Sequence, residues 1–327
     1  MTNGATLCHM RHTKKGYCER KIMIAQVKNP GLRQATVRKF ERQTAFGWII
    51  ALAIFLGGAG GGIFLIGYFT KILYGSYLSK IGLTIGPLIA IACTICLFID
   101  LGKKMGMQQL FLNVSRLSSS WISRGAWALS SFVVFGLAYA LTLWNAFSGP
   151  PWEDAAGFLG IVAALSAMMV LLYTGFLLGV IKSIPFWNNP LLPVLFITSG
   201  LSCGAAVLLI IAPFVPVDQS PVLATITQAE VIFILTQLLM LWAYLGVASH
   251  RDLASAESIR LIKTPITLII ALGLLLPLGL LVISLASGMP GATTSFDFAA
   301  AIMELIGAFF LRFSILNAGV TRRLSIR

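Results

Sequence analysis

Eight apolar stretches, each long enough to cross a lipid bilayer, leave few folds open to this chain. They lie near 46–74, 81–99, 125–147, 157–182, 190–213, 222–248, 265–287 and 296–318, each bounded by Gly, Pro or charge. At 1.5 Å per residue, helices of these lengths cross a hydrocarbon core of about 30 Å, the longer ones with tilt. Barrel strands would need alternating segments of roughly ten residues, a pattern foreign to this sequence. Composition agrees, with 57% hydrophobic and 11% charged residues against about a quarter charged in a soluble domain. The five cysteines are an odd number, and Cys93, Cys96 and Cys203 lie inside apolar runs, so a disulfide framework is not expected. The fold class is therefore all-α integral membrane with eight transmembrane helices. A soluble enzyme, a secreted disulfide scaffold and a disordered tail protein are excluded.

A net charge of +13 could suggest nucleic acid, but the cations are sorted by topology. The stretch before the first span holds ten Lys or Arg, including Lys14, Lys15, Arg38 and Arg42. Later segments on that side add Lys103, Lys104, Arg116, Arg124, Lys182, Arg251, Arg260, Lys263, Arg322, Arg323 and Arg327. The opposite side has Lys71 and Lys80, and Arg312 falls within a span. Positive residues stay cytoplasmic, so both termini are expected inside. A seven- or nine-span count would break the pattern. The expected organisation is a basic cytoplasmic tail over 1–45, an eight-helix membrane domain over 46–320 and a second basic tail over 321–327. No signal peptide is expected, because basic residues continue to Arg42 without an apolar core; Met10 and Met23 are alternative starts. The outer loops are short and slightly acidic (Glu153, Asp154, Asp218, Asp297). Chemistry on a soluble substrate would fall to another subunit.

Membrane redox proteins usually reveal themselves by histidine, since a transmembrane b-type haem needs axial ligands on facing helices. Here His9, His12 and His250 all stand outside the spans, and Cys-x-x-Cys-His is absent, so no haem is expected. Cys93-x-x-Cys96 reads as two small side chains filling a helix interface rather than a redox pair. Cys8, His9, His12 and Cys18 could collect zinc, but their spacing matches no standard finger and their neighbours are cationic. No metal site is assigned.

The first span carries Phe55-Leu56-Gly57-Gly58-Ala59-Gly60-Gly61-Gly62. Small residues at i and i+4, as in Gly57/Gly61 and Gly58/Gly62, let helix backbones approach closely; alternatively they leave room for a flat ring or a lipid tail. Further along come Asp100-Leu101-Gly102-Lys103, Ser123-Arg124-Gly125-Ala126-Trp127 and Tyr173-Thr174-Gly175-Phe176-Leu177-Leu178-Gly179. Pro185-Phe186-Trp187-Asn188, Leu192-Pro193-Val194-Leu195-Phe196, Leu311-Arg312-Phe313 and Asn317-Ala318-Gly319 complete the series.

This succession resembles the NrfD / polysulfide-reductase membrane-subunit family over nearly all of 46–320. One departure is Lys103-Lys104, where members often have Arg-Pro. The resemblance implies two four-helix bundles in the cytoplasmic membrane of a prokaryote. It implies a quinone-reactive anchor without redox cofactors of its own, binding menaquinone or ubiquinone. The implied partners are a ferredoxin-like subunit with several iron–sulfur clusters, docked on the outer face, and often a molybdopterin subunit.

Ionisable residues inside spans are costly and are functional candidates by default. Glu230 and Glu304 each stand eight residues in from the outer face, roughly 12 Å deep. Such a pair could hold and hand over protons during quinone chemistry, or could be carboxylic acids bonded to backbone and hydroxyl groups. Arg312 could extend that proton path or snorkel to the headgroups, with Asp100 as its counter-ion. Tyr139, Trp144 and Trp152 stand near the outer face as membrane anchors, or, for a tyrosine hydroxyl, as a donor to quinone. The quinone-contact candidates are Tyr139, Trp152, Tyr173, Gly57 and Gly58.

Two functions are consistent with these features. One is the quinone-binding subunit of a respiratory oxidoreductase, passing electrons between an iron–sulfur partner and quinone, with Glu230, Glu304 and Arg312 moving protons. The other is a secondary transporter, which would also use Gly- and Pro-interrupted spans and intramembrane Glu and Arg, although no inverted repeat is evident. The purified chain is expected to show no haem absorption and no intrinsic iron. A stoichiometric b-haem in its optical spectrum would end the quinone-anchor reading.

Overall fold

The computed structural model describes residues 37–43, 46–101, 121–144, 150–215, 220–251, 253–287 and 295–325. Cys8, His9, His12, Cys18, Lys103, Lys104 and Asp218 lie outside them. Among the described residues, eight helices are long and apolar enough to cross a membrane. They begin with α1 (Trp48–Tyr74), α2 (Tyr77–Leu101), α3 (Trp121–Leu143) and α4 (Pro150–Gly179). Then come α5 (Leu191–Ile211) and α6 (Ser220–Arg251). The seventh span is composite: α7 (Leu253–Ile270), a π-helical turn (Ala271–Leu275) and α8 (Leu276–Ala286). The eighth is α9 (Ser295–Asn317). Helices close their backbone hydrogen bonds internally, as lipid demands.

One boundary moves by three turns. The sequence starts the seventh span at 265 because Arg251, Arg260 and Lys263 read as loop. In the structure α6 ends at Arg251 and α7 opens at Leu253. The face carrying Ala254, Ser255 and Ser258 turns inward, while Arg260 and Lys263 stay exposed. Helical cations at a membrane edge can reach the headgroups along their alkyl stems.

The glycine run makes α1 the shared packing partner. A Cβ on Gly60 would stand 2.8 Å from the Gly86 carbonyl of α2, and one on Gly61 would stand 3.0 Å from the Ala167 carbonyl of α4. A Cβ on Gly62 would overlap the Gly200 carbonyl of α5, and Gly204 abuts Gly62 in return. Lipid tails are as apolar as leucine, so close van der Waals packing must supply the attraction between helices. The sequence motifs meet in the same way. Gly125 leaves space for the Tyr173 ring, Gly175 lies on Pro193, and Gly319 lies under Trp187.

The non-helical segment 181–190 is built into this packing. Ile184, Phe186 and Trp187 are buried. Trp187 Nε1 donates to the Ile315 carbonyl at 2.8 Å, and the Tyr244 hydroxyl donates to the Phe186 carbonyl at 2.8 Å. Phe46 meets the Trp187 ring edge-on at 5.5 Å. Gln43 Nε2 donates to Leu316 O at 3.1 Å, fastening the chain before α1 to the end of α9.

Helix accounts for the membrane part only. Val37–Arg42 and Val320–Ser325 pair as a two-stranded ladder. From sequence these stretches read as basic tails, because Val37-Arg38-Lys39-Phe40-Glu41-Arg42 is mostly charged and shows no apolar alternation.

Gly62→Leu forces a side chain into backbone rather than into another side chain, so the expected loss is about 3 kcal/mol or more, at or above the usual range for overpacking. Gly246→Leu, where a Cβ would meet nothing within 4 Å, should stay within about 0.5 kcal/mol. Detergent-micelle unfolding of the two variants checks this; equal stability would remove the close-approach account.

Candidate functional site

Arg312 is fully buried, and its position on α9 carries the guanidinium between α1 and α5. Nη1 donates to Ser199 Oγ at 2.9 Å and to the Ala308 carbonyl at 3.1 Å, with Cys203 Sγ at 4.0 Å. The faces of Phe55 and Phe196 stand 5.7 and 5.6 Å from its central carbon. Aromatic faces attract cations, and a flat guanidinium suits the slot between them. A Cβ on Gly58 would lie 2.9 Å from Nη2, so the glycine is what leaves the group its space. Nε and Nη2 have no hydrogen-bond partner.

The carboxyls complete this interior cluster. Ser202, one turn along α5 from Ser199, donates to Glu230 Oε1 at 3.0 Å. Glu304 lies close to Glu230 and to Ser202. Glu230 is 1% exposed and Glu304 0%. Glu230 Oε2 and both oxygens of Glu304 lack hydrogen-bond partners. The structure thus brings Glu230, Glu304 and Arg312 together, on two helices, α6 and α9, that meet α5.

Two expectations for Arg312 are corrected. It does not snorkel, because the Gly58 gap and the Ser199 hydroxyl hold it inside the helix packing. Asp100 is not its counter-ion, since its bonded partners are hydroxyl and carbonyl oxygens.

The quinone-contact candidates separate into different places. Gly57 and Tyr173 line one narrow apolar cavity of about 30 Å³ with Cys93, Leu129, Val170 and Thr174. That is room for about one water, less than a quinone ring occupies. Gly58, one residue on, faces Arg312 instead. Tyr139 belongs to a third place, near the ends of α1 and α3. Lys71 Nζ donates to its hydroxyl at 2.8 Å and lies 4.8 Å from its ring centre. Since the hydroxyl accepts there, its own proton is free to be donated. The rings of Phe64 and Tyr68 pack beside it, at 6.2 and 6.0 Å between centroids. Trp152 falls in the first turn of α4, and its side chain lies outside the described residues. Cys93 Sγ donates to Ala53 O at 3.1 Å, which fits a packing role. Among the described residues no three His, Cys, Asp or Glu side chains gather to hold a metal ion.

Sequence reasoning missed Ser199, Ser202 and Cys203. Their signal was present, since positions i, i+3 and i+4 share one helix face. It also missed Lys71, counted only as an outer charge.

Comparison with known proteins finds relatives of this chain. Protein NrfD of Escherichia coli (strain K12) is 28% identical over 331 residues, spanning 88% of this chain and 98% of that protein. The C subunit of polysulfide reductase from Wolinella succinogenes is 30% identical over 175 residues, 48% of this chain and 55% of that one. A Haemophilus influenzae NrfD homolog is 30% identical over 172 residues, 49% and 51% of the two proteins. Residues 36–323 match the family described as Polysulphide reductase, NrfD, and this eight-span membrane protein belongs to that family.

Proposed function

We propose that this chain is the quinone-reactive membrane anchor of a respiratory oxidoreductase, exchanging electrons between an iron–sulfur partner subunit and menaquinone or ubiquinone. The observation that carries the reading is the interior cluster of Glu230, Glu304 and Arg312. Two carboxyls and one cation are kept out of water inside lipid-facing helices, with polar atoms to spare. Charged groups held there at such cost are found where protons or ions must move. Quinone reduction takes up two electrons and two protons, and quinol oxidation releases them. The carboxyls hold and pass the protons; Arg312 sets the local charge. Electrons pass between the quinone and the partner, a ferredoxin-like protein with several clusters, in either direction, and the family often adds a molybdopterin subunit.

The quinone-contact residue favoured by geometry is Tyr139. Its hydroxyl proton can be donated to a quinone carbonyl while Lys71 supports the developing negative charge. Gly57 and Tyr173 would have to part before a ring could enter between them. In this proposal the spans group as two four-helix bundles, residues 48–179 and 191–317. Both termini are cytoplasmic, and the iron–sulfur subunit docks on the outer face near Tyr139.

Glu230→Gln and Glu304→Gln keep shape and hydrogen bonding but remove the exchangeable proton. In the assembled complex each is expected to lower the ratio of quinone-linked to dye-linked turnover by about tenfold or more, the lower range for lost acid–base help. Arg312→Lys is expected to do less harm to that ratio than Arg312→Leu, because it retains the charge. A ratio unchanged in both Glu variants would make the carboxyls structural.

A further inference from the structure

Gln237 stands on α6 seven residues beyond Glu230 and seven before Tyr244. The three are therefore stacked about 10 Å apart along one side of the helix, and all are buried. Ile234 and Leu241, on the same buried side, are apolar. Neither Nε2 nor Oε1 of Gln237 has a hydrogen-bond partner. An amide closed off from water and from partners is costly, and buried groups of this kind are ordinarily satisfied by ordered water. Glu230 Oε2 and both Glu304 oxygens have the same unmet need.

Further along, polar groups recur toward the end of the protein that carries the basic loops. The Tyr244 hydroxyl is bonded to the Phe186 carbonyl of segment 181–190. Ser255, in the opening turn of α7, is buried with its Oγ unpartnered. A polar seam thus leads from the carboxyl pair toward one face, interrupted by apolar layers that short chains of water would have to bridge.

We propose that Gln237 holds buried water connecting Glu230 and Glu304 to the basic-loop face, and that the carboxyls exchange protons by this route. The inference rests on the proton-handling role given to the carboxyls above, and adds the side from which the protons come. The amide donates through Nε2 and accepts through Oε1, so it orients water in either sense. It does not titrate, so it does not compete for the proton. Each transfer forms one O–H bond as the neighbouring one breaks, and no charge is left on the amide. Gln237 is a positioning residue, acting through the water it holds.

The test uses the full chain in lipid nanodiscs, transferred to D2O. Infrared spectroscopy follows the isotope shift of the carboxylic acid carbonyl bands, assigned by their loss in Glu230→Gln and Glu304→Gln. Gln237→Met keeps the length of the side chain and removes the amide; it is expected to slow the shift at least tenfold. Gln237→Leu should do the same, and Gln237→Asn, which retains donor and acceptor, should restore most of the rate. The amide I band, which reports the helices, should stay unchanged in all three. Exchange at the wild-type rate in Gln237→Met, or an Asn variant as slow as Met, overturns the proposal. If exchange is unaffected while the Glu variants still lose quinone-linked turnover, the water route falls and the carboxyl role stands. If exchange slows while that turnover is untouched, the route is supported and its tie to quinone chemistry is removed.

Discussion

The rest of the structure depends on the missing side chains of α1. Between Gly57 and Gly62 the helix presents backbone on several sides, and a different partner occupies each one. Gly60 admits α2, Gly61 admits α4, Gly62 admits α5, and Gly58 admits the Arg312 guanidinium of α9. In water a helix could be held by burying apolar surface. In lipid that drive is absent, so contact distance decides whether helices associate. A methyl group at Gly60 or Gly62 presses on a neighbour's backbone, and one at Gly58 presses on the Arg312 guanidinium itself.

Such closeness also makes a buried arginine tolerable. A guanidinium in lipid loses its hydration shell, and replacement contacts must be in place when the protein folds. Ser199 and the Ala308 carbonyl supply oxygen acceptors, while Phe55 and Phe196 supply electron-rich faces. α9 is held in turn by α7 and α8, where Gly273 of the π-helical turn meets Gly307 one turn from Glu304. A π turn inserts one extra residue into the helical repeat and re-aims the turns beyond it. Here it brings a glycine to the place where two backbones touch.

The eight spans were legible because hydropathy over twenty residues is a strong signal, and the family motifs because they appear in order. Depth was legible too: Glu230 and Glu304 could be matched by counting from the span ends, and the structure brings them together. Azimuth was not. Gly57 and Gly58 differ by about 100° around the helix, so one faces Cys93 and the other Arg312, although their adjacency in sequence suggests a single quinone-contact pair. Depth alone pairs Asp100 with Arg312, and the helices place hydroxyls there instead. The start of α7 and the terminal ladder were obscured by the same cause. Lys and Arg read as loop or tail, although a helix end or a strand edge carries them equally well.

Depth and azimuth together divide the proposed chemistry. Lys71 and Gly58 lie on one helix, thirteen residues and about 20 Å apart. One reaches Tyr139 and the other reaches the Arg312 cluster. A quinone at Tyr139 would therefore not touch Arg312, and no single hydrogen bond joins the two centres. α1 cannot easily transmit a shift between them, because its glycines leave no slack against α2, α4 and α5. What can cross such packing is a proton passed through small bonded groups and water, with the helices staying where they are. In the proposed function electron transfer would fall to a partner's clusters, while the membrane helices keep carboxyls, a cation and unpartnered polar atoms in a fixed frame.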